Sequence, residues 1–503
     1  MAACAACVTV PYSEDERARG QRVMILEGVF SRAMEGVTGG VVLAGFALAL
    51  GASDLEIGLV AAIPFLAQLA HVPTVAYLAR FPDRKTLAVG AAALARLFFF
   101  AMAMIPFLAL PVRPVAALIP LLVAYATFAT FSGGAWQVWV RELVPRDSIG
   151  RYFGRRMAIL AAFGLLVVLG AGQFLQRWPG DPLVAFAILF AIGGTLGLVS
   201  AGVLSRAPSR ASSAVPHGSF LRVLRKPFAD ANYRRLLVFL GAWGFAANLA
   251  LPFLSVMLLR TLGFGFGVVT ALAATSQLSN VLGLRLWGPI TDRFGSKPVL
   301  GLAGSVFLVG MSLWAFLPKT ASTGTLVLAA IVHVLLGFAL AGLDVASTSV
   351  TMRLAQEQDA PAYLASASVV KALAAGIAPL LGGLLATLLA QRRFSVRLVW
   401  TDPNGEDMVN AVTFIGHEYL FLLSVILCLY ALHRLLAFTE EGEAPPEQVV
   451  RAMRREVGQV SSIAGMRQFA HAASYLVEAA YRFERSLDVK RALELDKKRE
   501  KKG

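Results

Sequence analysis

Thiols and imidazoles are scarce in this chain: its 503 residues include three cysteines and six histidines. Cys4 and Cys7 form one isolated C-x-x-C with no second pair, so neither a four-ligand zinc site nor a disulfide framework is expected. Charge is scarce as well. Asp, Glu, Lys and Arg make up 15% of the residues and hydrophobic types 57%, whereas water-soluble chains are about 25% charged. Acids are the rarer sign, 31 against 46 Lys and Arg. No Gly-rich phosphate loop of the G-x-x-x-x-G-K-[S/T] kind occurs, so ATP is not the expected driver. No cluster of His or carboxylates recurs at metal-ligand spacing, so no resident metal, no cofactor and no enzymatic reaction are expected.

Apolar sequence is what the chain has in quantity, with a mean hydropathy of +0.67. Runs of about 20 apolar residues, long enough to cross the hydrocarbon layer as a helix, occur near 24–50, 56–79, 87–110, 115–140, 157–177, 183–205, 235–259, 266–287, 299–317, 324–352, 363–390 and 416–437. Stretches such as LAAFGLLVVLGAG (160–172) lack the alternation of a membrane β-strand. The reading is an all-α membrane protein with twelve transmembrane helices. Acids precede the first run and no basic segment opens the chain, so the first helix is read as a retained anchor and not a secretory signal.

The net charge of +15 has a direction. Short loops on the side of the N-terminus hold 18 Lys and Arg and those on the other side seven. This positive-inside bias places both termini in the cytoplasm of an inner-membrane protein. The basic balance reports orientation, and no nucleic-acid partner is expected.

Landmarks repeat at a near-constant offset. Gly51 falls on Gly263 and Arg141 on Arg353 at 212 residues, Arg80 on Arg293 at 213, and Tyr152 on Tyr363 at 211. Both six-helix halves start on the same side, which makes them parallel repeats, a plan used by secondary transporters. The organisation is then a cytoplasmic segment 1–22, a bundle 23–205, a linker 206–235, a second bundle 236–437 and a cytoplasmic tail 438–503.

The stretch LRLWGPITDRFGSKPVL (284–300) sets a charged turn between two apolar runs. Gly288, Asp292, Arg293, Gly295 and Lys297 match the loop motif G-x-x-x-D-R-x-G-x-K/R, in the loop between the second and third helices of the second half. The chain therefore resembles a bacterial major facilitator superfamily transporter over residues 23–437. The resemblance implies that family's fold, alternating access, and helices one, four, seven and ten lining a central cavity. It implies that the loop is a conformational latch. Asp292 is expected to pair with a helix end or Arg of the other half, Gly288 to allow close backbone approach, and Gly295 to make a tight turn. The first-half copy is degraded, with Ala79 at the Asp position and Asp83, Arg84 and Lys85 displaced. WVRELVPRDSIGRYFGRR (139–156) is similar to the family's loop after the fourth helix. AGIAPLLGG (375–383) resembles the antiporter motif G-P-x-x-G-G but sits in the eleventh helix. The fourth helix carries no charge in 116–136, which argues against a standard drug/proton antiporter.

Charges inside a membrane span cost about 2.5–3.5 kcal/mol each on insertion scales, so each needs a reason. Helix one carries Glu27, Arg32 and Glu35. At 1.5 Å per residue Glu35 lies roughly 16 Å deep, near the midplane, and is the leading proton- or cation-binding candidate; pairing with Arg32 or with Arg96 of helix three is the competing reading. Asp344 and Lys371, at roughly 12–14 Å from the inner surface, form either a salt bridge or a titrating pair. His333, three turns before Asp344, is a packing residue or a third member. Trp136, Gln137 and Trp139 in helix four and Trp243 and Asn248 in helix seven are candidate cavity lining, with interfacial anchoring an equal alternative for the tryptophans. Gln277 and Asn280 are read as interhelical hydrogen bonds.

The tail mixes 13 Lys and Arg with 11 Asp and Glu. From Val449 to Ala480 it keeps a 3–4 apolar spacing, which predicts a long amphipathic helix, read either as a solvated helix or as one that self-associates through its apolar stripe. The function read is a secondary active transporter of a small organic solute, coupled to protons, with the solute, protons and the bilayer as partners. The alternative is a non-transporting membrane scaffold or receptor that signals through the tail.

Overall fold

A computed structural model of the chain describes residues 12–70, 83–109, 111–144, 149–210, 220–356, 359–402, 405–440 and 448. Its first helix, α1 (Glu14–Thr38), opens on a capping box. Ser13 Oγ accepts from the Glu16 amide at 3.2 Å, and the Glu16 carboxylate accepts from the Ser13 amide at 2.8 Å. The helix breaks at Gly39–Gly40, where Gly40 has φ +51°, and resumes as α2 (Gly40–Ala49). A second capping box, Ser53 with Glu56, starts α3 (Asp54–Ala67).

The first half continues with α4 (Arg84–Met104), α5 (Pro114–Leu143), α6 (Ile149–Arg177) and α7 (Pro182–Leu204). A short helix α8 (Phe220–Ala229) lies in the linker. The second half runs α9 (Ala231–Val256), α10 (Phe266–Phe294), α11 (Ser296–Ala315), α12 (Thr323–Arg353), α13 (Ala360–Leu389) and α14 (Glu418–Leu435). Gly51 and Gly263, paired by the repeat, both take left-handed backbone, with φ +81° and +66°. The same turn thus closes the first span of each half.

Eleven helices among the described residues are long and apolar enough to cross a membrane. The second expected span begins as α3, and its continuation at 71–82 lies outside the described residues, as does almost all of the tail. The outer faces suit hydrocarbon: Leu166, Leu388 and Ile426 are 66%, 63% and 61% exposed, a pattern that water would penalise. Inside, each half packs on buried aromatics, Phe46 against Phe186 and Phe190 in the first, and Trp287, Phe307 and Trp314 in the second.

Residues 391–415 differ from the plain loop expected. They hold an antiparallel hairpin, β1 (Arg393–Asp402) with β2 (Gly405–Ile415), carrying a bulge between Val396 and Arg397. The β-branched and aromatic run RFSVRLVW, followed in the sequence by Pro-Asn-Gly, was the available signal.

Candidate functional site

The halves meet along two seams, α3 against α13 and α6 against α10, at the end of the bundle away from both termini. Glycine makes the first seam possible. A methyl group on Gly58 would collide with the Pro379 carbonyl oxygen, and one on Gly383 with the Asp54 carbonyl. Gly376 lies against Leu66 and Gly382 against the Leu249 carbonyl. Gly376 and Gly383 of AGIAPLLGG therefore belong to this contact, while Gly382 packs on α9 of its own half. At the second seam Gly172 abuts Thr270, and the Gly267 amide donates to Gln176 Oε1 at 3.3 Å.

Charge reinforces the same end. Asp54, the first residue of α3, accepts from Arg260 at 3.1 Å and lies 3.2 Å from His417 Nε2. Both partners belong to the other half. The hydrogen bond with His417 is the main reason the Asp54 carboxyl sits below the usual carboxylate range, and Arg260 adds to it. His417 is stacked on Phe253, with ring centroids 5.6 Å apart. The sequence reading missed this group, because its members are 206 and 363 positions apart and each looks like an ordinary loop charge.

At the end that carries the termini, no ion pair joins the two six-helix halves among the described residues. Gly295 makes the expected turn, with φ +92° between α10 and α11. The charged residues of the motif act within the second half. Glu440 accepts from the Ser296 and Lys297 amides, each at 2.8 Å, and pairs with Arg353 at 3.2 Å. Arg353 also donates to the Thr291 and Asp292 carbonyls. Arg293 lies over Phe294 and Lys297 over Phe438. Two expectations need correction here. Asp292 is exposed and has no ion-pair partner among the described residues. A methyl on Gly288 would meet nothing, so close approach at that glycine is not used in this conformation.

Between the two ends lie the intramembrane charges. Glu35 is half-exposed and pairs with Arg32 at 2.9 Å, one helical turn away. Its charge reaches Tyr125 of α5, as does that of Arg96. Glu27 is buried, 3.5 Å from Arg156 and accepting from Ser200 at 3.2 Å. Arg156 also covers the Trp136 ring at 4.6 Å; the Arg155-Arg156 step of the 139–156 motif was its only signal. Arg96 is buried, with Nε and Nη1 unpartnered.

Asp344 is exposed, and it is near enough to Lys371 to feel its charge, but the two are not in ion-pair contact. Lys371 Nζ instead donates to Ser347 Oγ at 3.4 Å. The direct bridge expected from matched depth is thus replaced by a hydroxyl contact. His333 is buried, bonded through Nδ1 to the Ala329 carbonyl at 2.8 Å and edge-on to Trp314. Trp243 packs on Phe307, and Asn248 bonds the Gly244 carbonyl of its own helix. Trp139 is fully buried and donates to the Pro208 carbonyl. Gln137 is exposed and Gln277 half-buried, while Asn280 makes the expected interhelical bond to Gly337 at 3.3 Å.

Above the charges, at the closed end, a partly open cavity of about 390 Å³ lies between the halves, bordered by α2, α3, α9, α10 and α12. Two bundles, a seam at one end and a cavity between them define a membrane-transporter architecture. Residues 236–481 match the family model of the Major Facilitator Superfamily. No curated protein matches the chain by sequence. Among solved structures, a variant of the nucleoside transporter NupG is similar at TM-score 0.64 and 12% identity, covering 84% of this chain and 100% of its own. The D-xylose-proton symporter follows at 0.62 and 15%, covering 85% and 99%. A bacterial homologue of the human lysosomal transporter Spinster, inward-facing and unoccupied, scores 0.59 at 14%, covering 93% and 99%. The chain thus has the fold of these transporters, with helices long and apolar enough to span a membrane, and its residues 236–481 resemble the Major Facilitator Superfamily.

Proposed function

We propose that this protein is a secondary transporter that moves a small organic solute by alternating access, drawing on a proton gradient through Glu35. The observation that carries the reading is the asymmetry of the two ends. One end is closed by the glycine seams and the Asp54 contacts to Arg260 and His417. The other has no ion pair between the halves among the described residues, and Glu35 and Asp344 are exposed between the two. With the positive-inside loops in the cytoplasm of the inner membrane, the open end faces inward. Asp292 is then a latch residue waiting for the opposite state, in which the two inner ends approach.

Glu35 suits the coupling role because it is accessible, lies near the midplane and has one partner, Arg32, on its own helix. Protonation removes that partner's counter-charge and changes the electrostatics that α1 presents to Arg96 and Tyr125. A carboxyl that gains a proton on one side and loses it on the other biases a two-state machine. The test is uptake into proteoliposomes of a solute that stabilises the purified protein, with and without an imposed pH gradient. The gradient should stimulate wild type by tenfold or so, an order-of-magnitude coupling, and should fail to stimulate Glu35→Gln while solute binding is retained. Equal stimulation of both would remove Glu35 from coupling.

A further inference from the structure

The cavity at the closed end is lined chiefly by Val41, Ile57, Leu251, Leu254 and Val269, with Ser255, Ser276 and His333 as its polar side chains. Those polar groups are partly committed. Ser255 Oγ donates to the Pro252 carbonyl at 3.3 Å, and His333 Nδ1 is bonded to the Ala329 carbonyl at 2.8 Å. A carbonyl partner makes Nδ1 the donor of a neutral ring and leaves Nε2 an acceptor. Pro64 lies inside α3 and has no N–H for the carbonyl of Val60, which also lines the cavity. The walls thus offer a large apolar surface and few polar groups: Ser276 Oγ, which can donate or accept, and the acceptors His333 Nε2 and the Val60 carbonyl.

We infer that this cavity binds the body of a largely apolar, uncharged organic molecule bearing one or two hydrogen-bond donors, of the size and chemistry of a small aromatic amine or phenol, and not a sugar or nucleoside. The inference rests on the transporter reading and names its substrate class. About 390 Å³ is near the lower end of the roughly 300–1,000 Å³ of small-molecule sites, enough for one or two rings. Each hydroxyl of a pentose needs both a donor and an acceptor. Left unpaired against Val41, Ile57 or Leu254, each loses affinity on the order of tenfold. A single N–H or O–H aimed at His333 Nε2 or the Val60 carbonyl is satisfied, while the ring replaces water on the apolar walls. No Asp, Glu, Lys or Arg lines the cavity, so it calls for no net charge on the ligand.

The test is binding to the full-length protein in nanodiscs, against empty nanodiscs, of indole, 1-methylindole, D-xylose and uridine. Indole should bind saturably, 1-methylindole about tenfold more weakly for want of its donor, and D-xylose and uridine more weakly still. Ala61→Phe and Ala273→Phe fill the cavity from opposite halves, and each should weaken indole by about tenfold or more. D-xylose or uridine binding more tightly than indole overturns the assignment, as does indole binding equally to wild type and both variants. The wild-type order decides by itself if the variants misfold. Binding is read without a gradient, so the two readings fail separately. Indole bound in this pattern but never carried into proteoliposomes counts against transport alone; uptake of D-xylose with no indole binding counts against the cavity's chemistry alone.

Discussion

At the end away from the termini, backbone meets backbone across the halves: Gly58 on Pro379, Gly383 on Asp54, and a single carboxylate holding Arg260 and His417. At the end with the termini, no ion pair joins the two halves among the described residues, and Glu440 caps α11 and pairs with Arg353 within the second half. The difference teaches how such a molecule can favour one state and still leave it. The closed end is held by shape, which gives a defined minimum, with one electrostatic contact that water can replace. At the other end Glu440 and Arg353 satisfy each other within one half, so separating the halves there leaves this pair intact.

The strongest way to break the contrast is to add volume at the seam. Gly58→Leu, or Gly383→Leu, places a side chain where a carbonyl oxygen now sits, and overpacking of this kind costs about 1–3 kcal/mol or more. The closed state should lose most of its population, and accessibility of a cysteine introduced near the cavity should switch from the inner to the outer side. Unchanged labelling would mean that the seam is not what holds this end.

Glu440 comes next, at the other end. It is a buried carboxylate serving two amides and one guanidinium, and Glu440→Gln should lower thermal stability by about 1–3 kcal/mol. A melting temperature within error of wild type would refute the capping role.

Asp54→Asn should give a smaller shift toward the state open to the outside. Its lowered carboxyl pKa, caused first by the His417 hydrogen bond and then by Arg260, fixes the sign with pH. A depressed acid contributes stability that is present above its ordinary value of about 3.9 and lost as pH falls through the depressed one. Acidification in that range should loosen the closed end of wild type and leave Asp54→Asn unaffected; identical profiles would exclude Asp54.

The smallest effect is expected between Asp344 and Lys371. Without direct contact, their coupling in a double-mutant cycle on stability should stay below about 1 kcal/mol. A coupling of several kcal/mol would mean a tight pair in the state that dominates in solution.

Most of the helical scaffold could be read from hydrophobic runs, because a bilayer imposes one length and one polarity on each span. The repeat showed itself at Gly51 and Gly263, where a positive φ demands the same residue twice. Pairings across the halves could not be read: Asp54, Arg260 and His417 come together only through packing of distant helices. Depth counting placed Asp344 and Lys371 at one level, but it could not tell that Ser347 stands closer to Lys371. The break in the first helix at Gly39–Gly40 and the 393–415 hairpin were each signalled locally, by paired glycines and by strand alternation, and were overridden by the surrounding apolar runs.

The central claim is that the two ends alternate, and paired spin labels at both ends test it in one sample. One pair spans α3 and α13 at the closed end, and the other spans α5 and α12 near Leu143 and Arg353. Distances are compared between wild type and Gly58→Leu. The account predicts a longer distance at the first end and a shorter one at the second in the same molecules, as Asp292 gains a partner across the halves. Lengthening at one end with no change at the other would contradict it.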